Sequence, residues 1–457
     1  MNFNPDKTEY PSVAPQGDDG AVETEMPTMK ISDFAAQFGC VPLTPADNPK
    51  IQAFYNSMAM TSEKFSVHTK KEPDYFRFLA YAADNHHVFG YPNAQGELEG
   101  MVSLIVRPCY IGGRPDRVGH FLDLRFKRRK ERTIKGDWKE LGLGFTRSGS
   151  RVEETEGCRI YHGSYITTNI YATASIGKDA HAKAGQKKAE KPAPAPERKA
   201  PPVPPEKTPA APAPAPEAFR VSNLAAYQAI NIYARKPWKI LSLGSFGKSR
   251  EKLVVTQGTE KDLEPLKAFL DRQNQPKTFG YIYAGPSGEL ERRLRRWDGL
   301  SMSSFFIARD LSGKILGAFG AFDPGRGRQL YIDALPPEKE RLAKLGAMAG
   351  LKVPRPNENI DILYLTSLEL DHDLAPDLRL SVFDRLLSAL FRSGLPRRYH
   401  IVSFCDYNKQ SLLEVVSGGY MYDATPVLLY QLHSPDATEV YRESDMVLPP
   451  GHEMVLM

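Results

Sequence analysis

Apolar positions recur along this chain with two periods, and the alternation of those periods divides it. Between Ile51 and Ala83 they fall at helical spacing, through Phe54, Met58 and Phe65, then Phe76, Leu79 and Ala80. HHVFGYPNAQGELEGMVSLIV then reads as a strand, a Gly-containing turn and a strand, and VGHFLDLRF as a third strand. A second block repeats this order. VVTQGTEKDLEPLKAFLDRQ predicts a short strand running into a helix capped near Thr259. FFIARDLSGKILGAFGAF predicts strand, turn, strand, and IDILYLTSLEL a longer strand over Ile360–Leu370. LRLSVFDRLLSALFRSG predicts a helix ended by Gly394. HIVSFCDYN is a strand; the next helix opens at Asn408 and closes at Gly419-Tyr420, and TPVLLYQL is the last strand. The shared order of helix, hairpin and strand marks a long-period internal duplication. Hairpins are antiparallel, whereas strand–helix–strand crossovers are parallel and right-handed. Each block is therefore a mixed α/β sheet with helices on its faces.

The polar segments set the boundaries. Residues 1–30 are polar and aperiodic and read as a disordered tail. Residues 178–217 are rich in Ala, Pro, Lys and Glu and hold almost no large apolar side chain, too few to offset the entropy of ordering. Prolines at that density favour extended polyproline II, so the segment is a semi-stiff spacer. A docking site for a proline-reading protein partner in 178–217 is the second reading, because the Ala-Pro repeats carry no anchoring side chains. The expected organisation is a tail over 1–30, a first domain over 31–249 with 178–217 as an insert, and a second domain over 250–457. NLAAYQAINIYARKPWKILSLGSF would supply the first domain's last helix and strand, with Trp238–Phe246 closing it. A rival parse ends the first domain near Ile176 and makes Asn223–Phe246 a linker helix.

Composition narrows the class. The 457 residues carry a net charge of +5, weak for a polyanion-binding protein of this length. FKRRKERTIK and LERRLRRWDG are basic but lack interleaved aromatics, so both are expected as solvated faces, with nucleic acid an unlikely partner. The 4 cysteines lack metal-ligand or disulfide-framework spacing and suit reduced thiols in the cytoplasm. The first residues do not form a basic start followed by an apolar core, and no run approaches the about 18 apolar residues of a membrane span. His86, His87 and His120 lie on or near apolar strand segments and are expected to be hydrogen-bonded structural groups.

From about Lys252 to His433, the order of elements and two spacings resemble the GNAT acetyltransferase superfamily; residues 31–249 resemble it more weakly. The resemblance implies an α/β class with two GNAT-like acyl-CoA N-acyltransferase folds in tandem. In that family the fourth strand splays from the fifth, and a Q/R-x-x-G-x-G/A loop opens a helix whose N-terminal amides cradle a pyrophosphate. Pro376 and Arg379 fall where the motif's Pro and Arg would, Leu387 matches its apolar helix residue, and Val382 and Asp384 take the glycine positions. A carboxylate there would oppose the phosphates by about 1–4 kcal/mol at ~4 Å, against about 0.3–1 kcal/mol from the helix end, unless it points away or pairs with Arg379 or Arg385. The family's N-x-x-A-x-x-x-Y-x-x-x-G-F helix maps onto Asn408, Ser411, Val415, Gly419 and Tyr420. Val415 replaces the tyrosine that protonates the departing thiolate, and valine donates no proton. The implied cofactor is acetyl-CoA or another acyl-CoA, held by Leu368, Leu370, Arg379, Leu380 and Asn408. Glu369 is the implied general base, with Asp371 on the same strand face. The run Asp371-His372-Asp373 is a solvent-facing loop, and the resemblance implies no metal. In the first block Arg128, Arg129, Lys130 and Arg132 sit where a pyrophosphate loop belongs, and Lys139, Gly142 and Gly144 nearly match the glycine motif. Two functions follow: an N-acyltransferase acting on a small-molecule or protein amine, or a catalytically silent GNAT-fold module that binds a ligand or a protein.

Overall fold

The computed structural model describes residues 28–456 except 59, 62–65, 129, 135–137, 168–219, 238, 240–251, 286–287, 326, 335–339, 341–346 and 348–351. Most of the expected tail, all of 178–217, and Trp238 with 240–246 lie outside the described residues. The first block supplies strands β1 (Val41–Leu43), β2 (Met60–Thr61), β3 (Ser66–Lys70), β4 (Asn85–Pro92), β5 (Leu98–Ile111), β6 (Arg114–Phe126) and β7 (Ile160–Ile166). Its helices are α1 (Ile31–Ala36), α2 (Asn48–Asn56), α3 (Tyr75–Ala82) and α4 (Trp138–Ser148). Next come β8 (Arg220–Arg235), β9 (Val254–Gln257), β10 (Gly280–Tyr281), β11 (Phe305–Arg309), β12 (Ile315–Phe322) and β13 (Gln329–Ala334). The chain closes with β14 (Ile362–Leu370), β15 (Ile401–Tyr407) and β16 (Tyr420–His433). The helices of this second part are α5 (Leu263–Asn274), α6 (Glu289–Arg296), α7 (Pro376–Arg392) and α8 (Leu413–Gly419).

One 13-stranded sheet runs in the order β1-β4-β5-β6-β7-β16-β8-β15-β14-β12-β11-β9, with β10 on the edge of β5. The order is a near-palindrome. Antiparallel strands approach from each end, and each half turns parallel once, at β6–β7 and at β14–β15. Each parallel pair is joined through a helix, α4 or α7, as a crossover requires. In the centre β8 lies beside β15 and β16 lies beside β7, so each half is completed by a strand from the other part of the chain. A small sheet, β13-β3-β2, also joins the parts.

The hairpins, the helix after Thr259 and the stop at Gly394 stand where period and turn residues place them. Thr259 forms a reciprocal capping box with Asp262, and Gly394 adopts φ +78° at the end of α7. Two expectations are corrected. The helical spacing over 51–83 is broken by β2 and β3, because Ser66–Lys70 pairs with β13 of the second part. Asn223–Ala234 is strand under both sequence parses' helix: β8 pairs with β15 on one edge and β16 on the other, and cross-strand packing overrides the helical look of an Ala-rich run.

Candidate functional site

The strand pair β14–β15 is in register only from Ile362–Tyr364 against Ile401–Ser403. Both strands continue, β14 held by β12 to Leu370 and β15 by β8 to Tyr407, so their facing edges part. An extra residue drives the divergence. Ala318 faces Glu369 while Gly320 faces Thr366, which leaves one more residue on β14 than on β12. Within this bulge Ser367 takes φ +49°, a left-handed conformation costly for a residue with a side chain. The first half repeats the device. β6–β7 pairs only over Val118–Phe121 with Ile160–Gly163, and Asp123, at φ +51°, occupies an equivalent bulge against β5.

The cleft beside β14 is a cavity of about 110 Å³. Leu365, Leu368, Glu369 and Leu370 form one wall, Phe404–Tyr407 the other, and Tyr227, Tyr281 and Pro449–Glu453 the floor. His372, Arg379 and Leu412 stand at its α7 end. Of the implied cofactor contacts, Leu368, Leu370 and Arg379 line this cavity. Leu380 lies inside α7 and packs on the apolar cluster of the second half. Asn408 is corrected: it is exposed in a 3-10 turn, Asn408–Gln410, and does not cap the helix. Asp406 takes that role, accepting from the Leu412 N–H at 2.7 Å and the Ser411 hydroxyl at 2.5 Å. Gly419 is the last residue of α8 and no left-handed cap; it packs against the Lys239 stem, 3.2 Å from where a Cβ would sit.

The two departures at the glycine positions resolve by orientation. Val382 is fully buried, and Gly317 of β12 lets it approach, since a Cβ on Gly317 would sit 2.9 Å from Val382. Asp384 is also buried and faces Lys239, whose Nζ lies 2.7 Å away. The carboxylate therefore points away from the helix N-terminus, with a partner other than the two arginines expected. No side chain caps the N-terminus of α7, and Pro376 opens it. Beside it the Arg379 Nε is buried without a partner, and burial lowers the guanidinium's pKa despite the nearby Asp406. An uncapped helix end and an orphaned guanidinium nitrogen suit a phosphate group.

Glu369 lies in the cavity wall, but its Oε1 accepts from Lys277 at 2.5 Å and from Asn274 at 2.9 Å. Asp371 points elsewhere, to Lys314 at 2.8 Å and to the Asp373 amide. Val415 is fully buried. Tyr420 is buried against Phe391, at 5.1 Å between rings, and burial drives its phenol pKa up. Tyr281, which sequence reasoning missed, places a phenol in the cavity, and burial pushes its pKa up to about 12. His372, also missed as a cavity group, is held below its usual pKa by burial and then by Lys277.

The basic run on α6 is corrected as well. Arg292 and Arg293 are buried, not solvated. Arg293 is held by Glu289 at 2.6 Å and Glu453 at 2.8 Å, and it donates to the Thr366 and Ser367 hydroxyls at 2.6 and 2.9 Å. In the first half Gly144 lies within α4 against the Phe38 ring, so Lys139, Gly142 and Gly144 are helix positions and not a phosphate loop. Arg129 lies outside the described residues, and Arg132 stacks on Phe126 at 5.1 Å. His86, His87 and His120 bond to the Ala83 carbonyl, Asn85 and Ser164.

No protein-family model and no curated protein matches the chain. Solved structures do. A GCN5-related glucosamine N-acetyltransferase region in a fungal multi-domain GH3 β-N-acetylglucosaminidase aligns at TM-score 0.46 and 10% identity over 86% of this chain, which spans 38% of that one. Saccharomyces cerevisiae N-myristoyltransferase with bound myristoyl-CoA aligns at 0.45 and 10% identity, over 89% and 84% of the two chains. A probable N-acyltransferase of Enterococcus faecalis aligns at 0.40 and 7%, over 86% and 71%. The sheet order itself repeats one arrangement twice, antiparallel strands leading to a single parallel pair. In both halves the parallel strands part, and the first strand of each pair, β6 or β14, leads into a helix. No helix among the described residues is long and apolar enough to cross a membrane.

Proposed function

We propose that the protein is a GNAT-like, acyl-CoA-dependent N-acyltransferase acting on an amine, with its cofactor in the cleft between β14 and β15. The parting of these strands beyond Tyr364 and Ser403 carries the reading, because it bares an extended backbone edge beside an uncapped helix N-terminus. Arg379 and the first amides of α7 would hold the pyrophosphate. The backbone of Leu368 and Leu370 would pair with the pantetheine arm. Bound acyl-CoA would supply an activated thioester. Glu369 is the proposed base, and the amine would displace the Lys277 nitrogen from its Oε1. The Tyr281 phenol, protonated at neutral pH, is the group in the cavity suited to the proton donation that Val415 cannot give.

Calorimetry with coenzyme A tests the site. Loss of a charge-assisted contact in Arg379→Ala should weaken binding by about tenfold or more. An affinity that the change leaves untouched would remove this cleft as the cofactor site. Transfer is tested by following thiol release from acetyl-CoA with a panel of amines. Binding without transfer to any amine would favour the second reading, a silent GNAT-fold module, which the buried Val415 in the tyrosine's place supports.

A further inference from the structure

Residues 434–456 do not trail from the sheet; they cross the seam, line the cleft at Pro449–Glu453 and turn into the core. The Tyr407 hydroxyl donates to the Met446 carbonyl at 3.0 Å and the Tyr227 hydroxyl to the Pro450 carbonyl at 2.7 Å. Arg107, from β5, donates to the Gly451 carbonyl at 2.8 Å, and the Gly451 amide returns to the Phe279 carbonyl at 3.0 Å. Only glycine fits there, since a Cβ would lie 2.4 Å from the Phe279 oxygen. Val455 and Leu456 then enter the core. Between these anchors Glu453 lies on the bulge of β14. Its carboxylate accepts from the Ser367 amide at 3.1 Å, the Thr366 hydroxyl at 2.5 Å, and Arg293 at 2.8 and 2.9 Å.

Ser367 stands where β14 has left β15, and its N–H is taken by Glu453, which lines the cleft, and not by a neighbouring strand. Such a donor must be paired or hydrated. We propose that Glu453 is a built-in plug: the tail fills the cleft's inner donor site on its own chain, and acyl-CoA binds only when Glu453 leaves Ser367. The proposal rests on the acyl-CoA reading above. Its chemistry is direct. A backbone N–H, a hydroxyl and a guanidinium converge on one spot, a cradle for a negatively charged or polarised oxygen. A carboxylate satisfies it in the resting chain, and a thioester carbonyl would compete for the same donors. Residues 434–456 contribute no strand, and their backbone is held largely by side-chain donors, so the segment between Met446 and Glu453 can open without breaking a sheet ladder.

The test uses the full chain, Glu453→Ala and Glu453→Gln, with thermal melting to confirm that each is folded. Acetyl-CoA is titrated by calorimetry, and hydrogen exchange is read at the Gly451 amide with and without it. Glu453→Ala should bind roughly tenfold tighter or more than the unmodified chain, with Glu453→Gln between them. In the unmodified chain, saturating acetyl-CoA should speed exchange at Gly451. Equal affinities, or a Gly451 amide better protected on binding, would make the tail a wall of the site and end the plug alone. If Glu453→Ala is unfolded, the exchange result on the unmodified chain decides. Absence of heat from all three forms at millimolar acetyl-CoA would defeat the acyl-CoA reading, and the plug with it.

Discussion

At the bulge of β6 the residue forced to positive φ is Asp123, and its carboxylate is answered from within its own half by Lys71 and the Tyr75 hydroxyl. At the bulge of β14 the residue is Ser367, and the answering carboxylate, Glu453, comes from the far end of the chain. Backbone geometry is alike in the two halves; the supply of charge is not. Lys71 is 1% exposed and sits over the rings of Tyr55, Tyr75 and Phe78, so the first bulge is sealed by groups that cannot leave without unfolding their half. The second is sealed by a segment that belongs to no strand of the sheet. The half sealed by the tail is also the half with the cavity, an uncapped helix and an orphaned guanidinium nitrogen.

Cutting the second half's charge network should have the largest effect. Arg293→Met leaves Glu453 without its guanidinium in a buried setting, a loss of about 3–5 kcal/mol by denaturant unfolding. Lys71→Met strips Asp123 in the same way. The two should differ in where the damage falls. Exchange at the Gly451 amide should rise in Arg293→Met and stay low in Lys71→Met; a rise in both would erase the distinction between a local and a tail-borne seal.

Acid separates the imidazoles at the seam from the carboxylate of the first bulge. His452, on the tail, stacks on His120 at 5.9 Å near His162, Tyr227 and Arg107, and burial, then Arg107, holds its pKa at about 4. Folding keeps this imidazole neutral while the unfolded chain takes up a proton below 6.5. The contribution is therefore complete above about pH 6.5 and lost as pH falls toward 4, about 3 kcal/mol in all. At Asp123 burial raises the pKa, and Lys71 and Arg125 override it, leaving it at about 2. That stability is present above 3.8 and lost only as pH falls toward 2, about 2 kcal/mol. Burial also holds His120 and His162 of the first half well below the usual imidazole range, so unfolding free energies between pH 7 and 2 should show a shared imidazole step before the Asp123 step. His452→Asn should shrink the earlier step and Asp123→Asn flatten the later one.

What the sequence disclosed, and what it hid, follows from the range of each interaction. The hairpins of both blocks and the long helix α7 were legible because period and turn residues act within a few positions. The β8 run was misread, since AAYQAI has no local sign of the two strands that flank it. Val382 and Asp384 looked like flaws in a phosphate loop. Their explanations, Gly317 and Lys239, lie far off in sequence. Arg293 and Glu453 were equally invisible as a pair. The faint signals were a doubled arginine in an otherwise amphipathic helix and a lone acid in the apolar ending GHEMVLM.

The smallest effect concerns the stretch after β15, where sequence ladder and structure assign the helix cap to different residues. If the ladder is right, Asn408 opens the helix and its removal costs about 1 kcal/mol. The structure puts Asn408 in solvent and hands the Leu412 amide to Asp406, with Ser411 bonded both to that carboxylate and to the Leu413 amide. Ser411→Ala should then cost about 1 kcal/mol in thermal unfolding, and Asn408→Ala should stay within about 0.5 kcal/mol. The order matters beyond stability. Asp406 lines the cavity beside Arg379, so a cap held by Ser411 fixes a carboxylate in the cleft wall of the second half. Loosening Ser411 would free that charge to reach Arg379, and a coenzyme A affinity that falls in Ser411→Ala but not in Asn408→Ala would tie the helix cap to the cofactor end of the site.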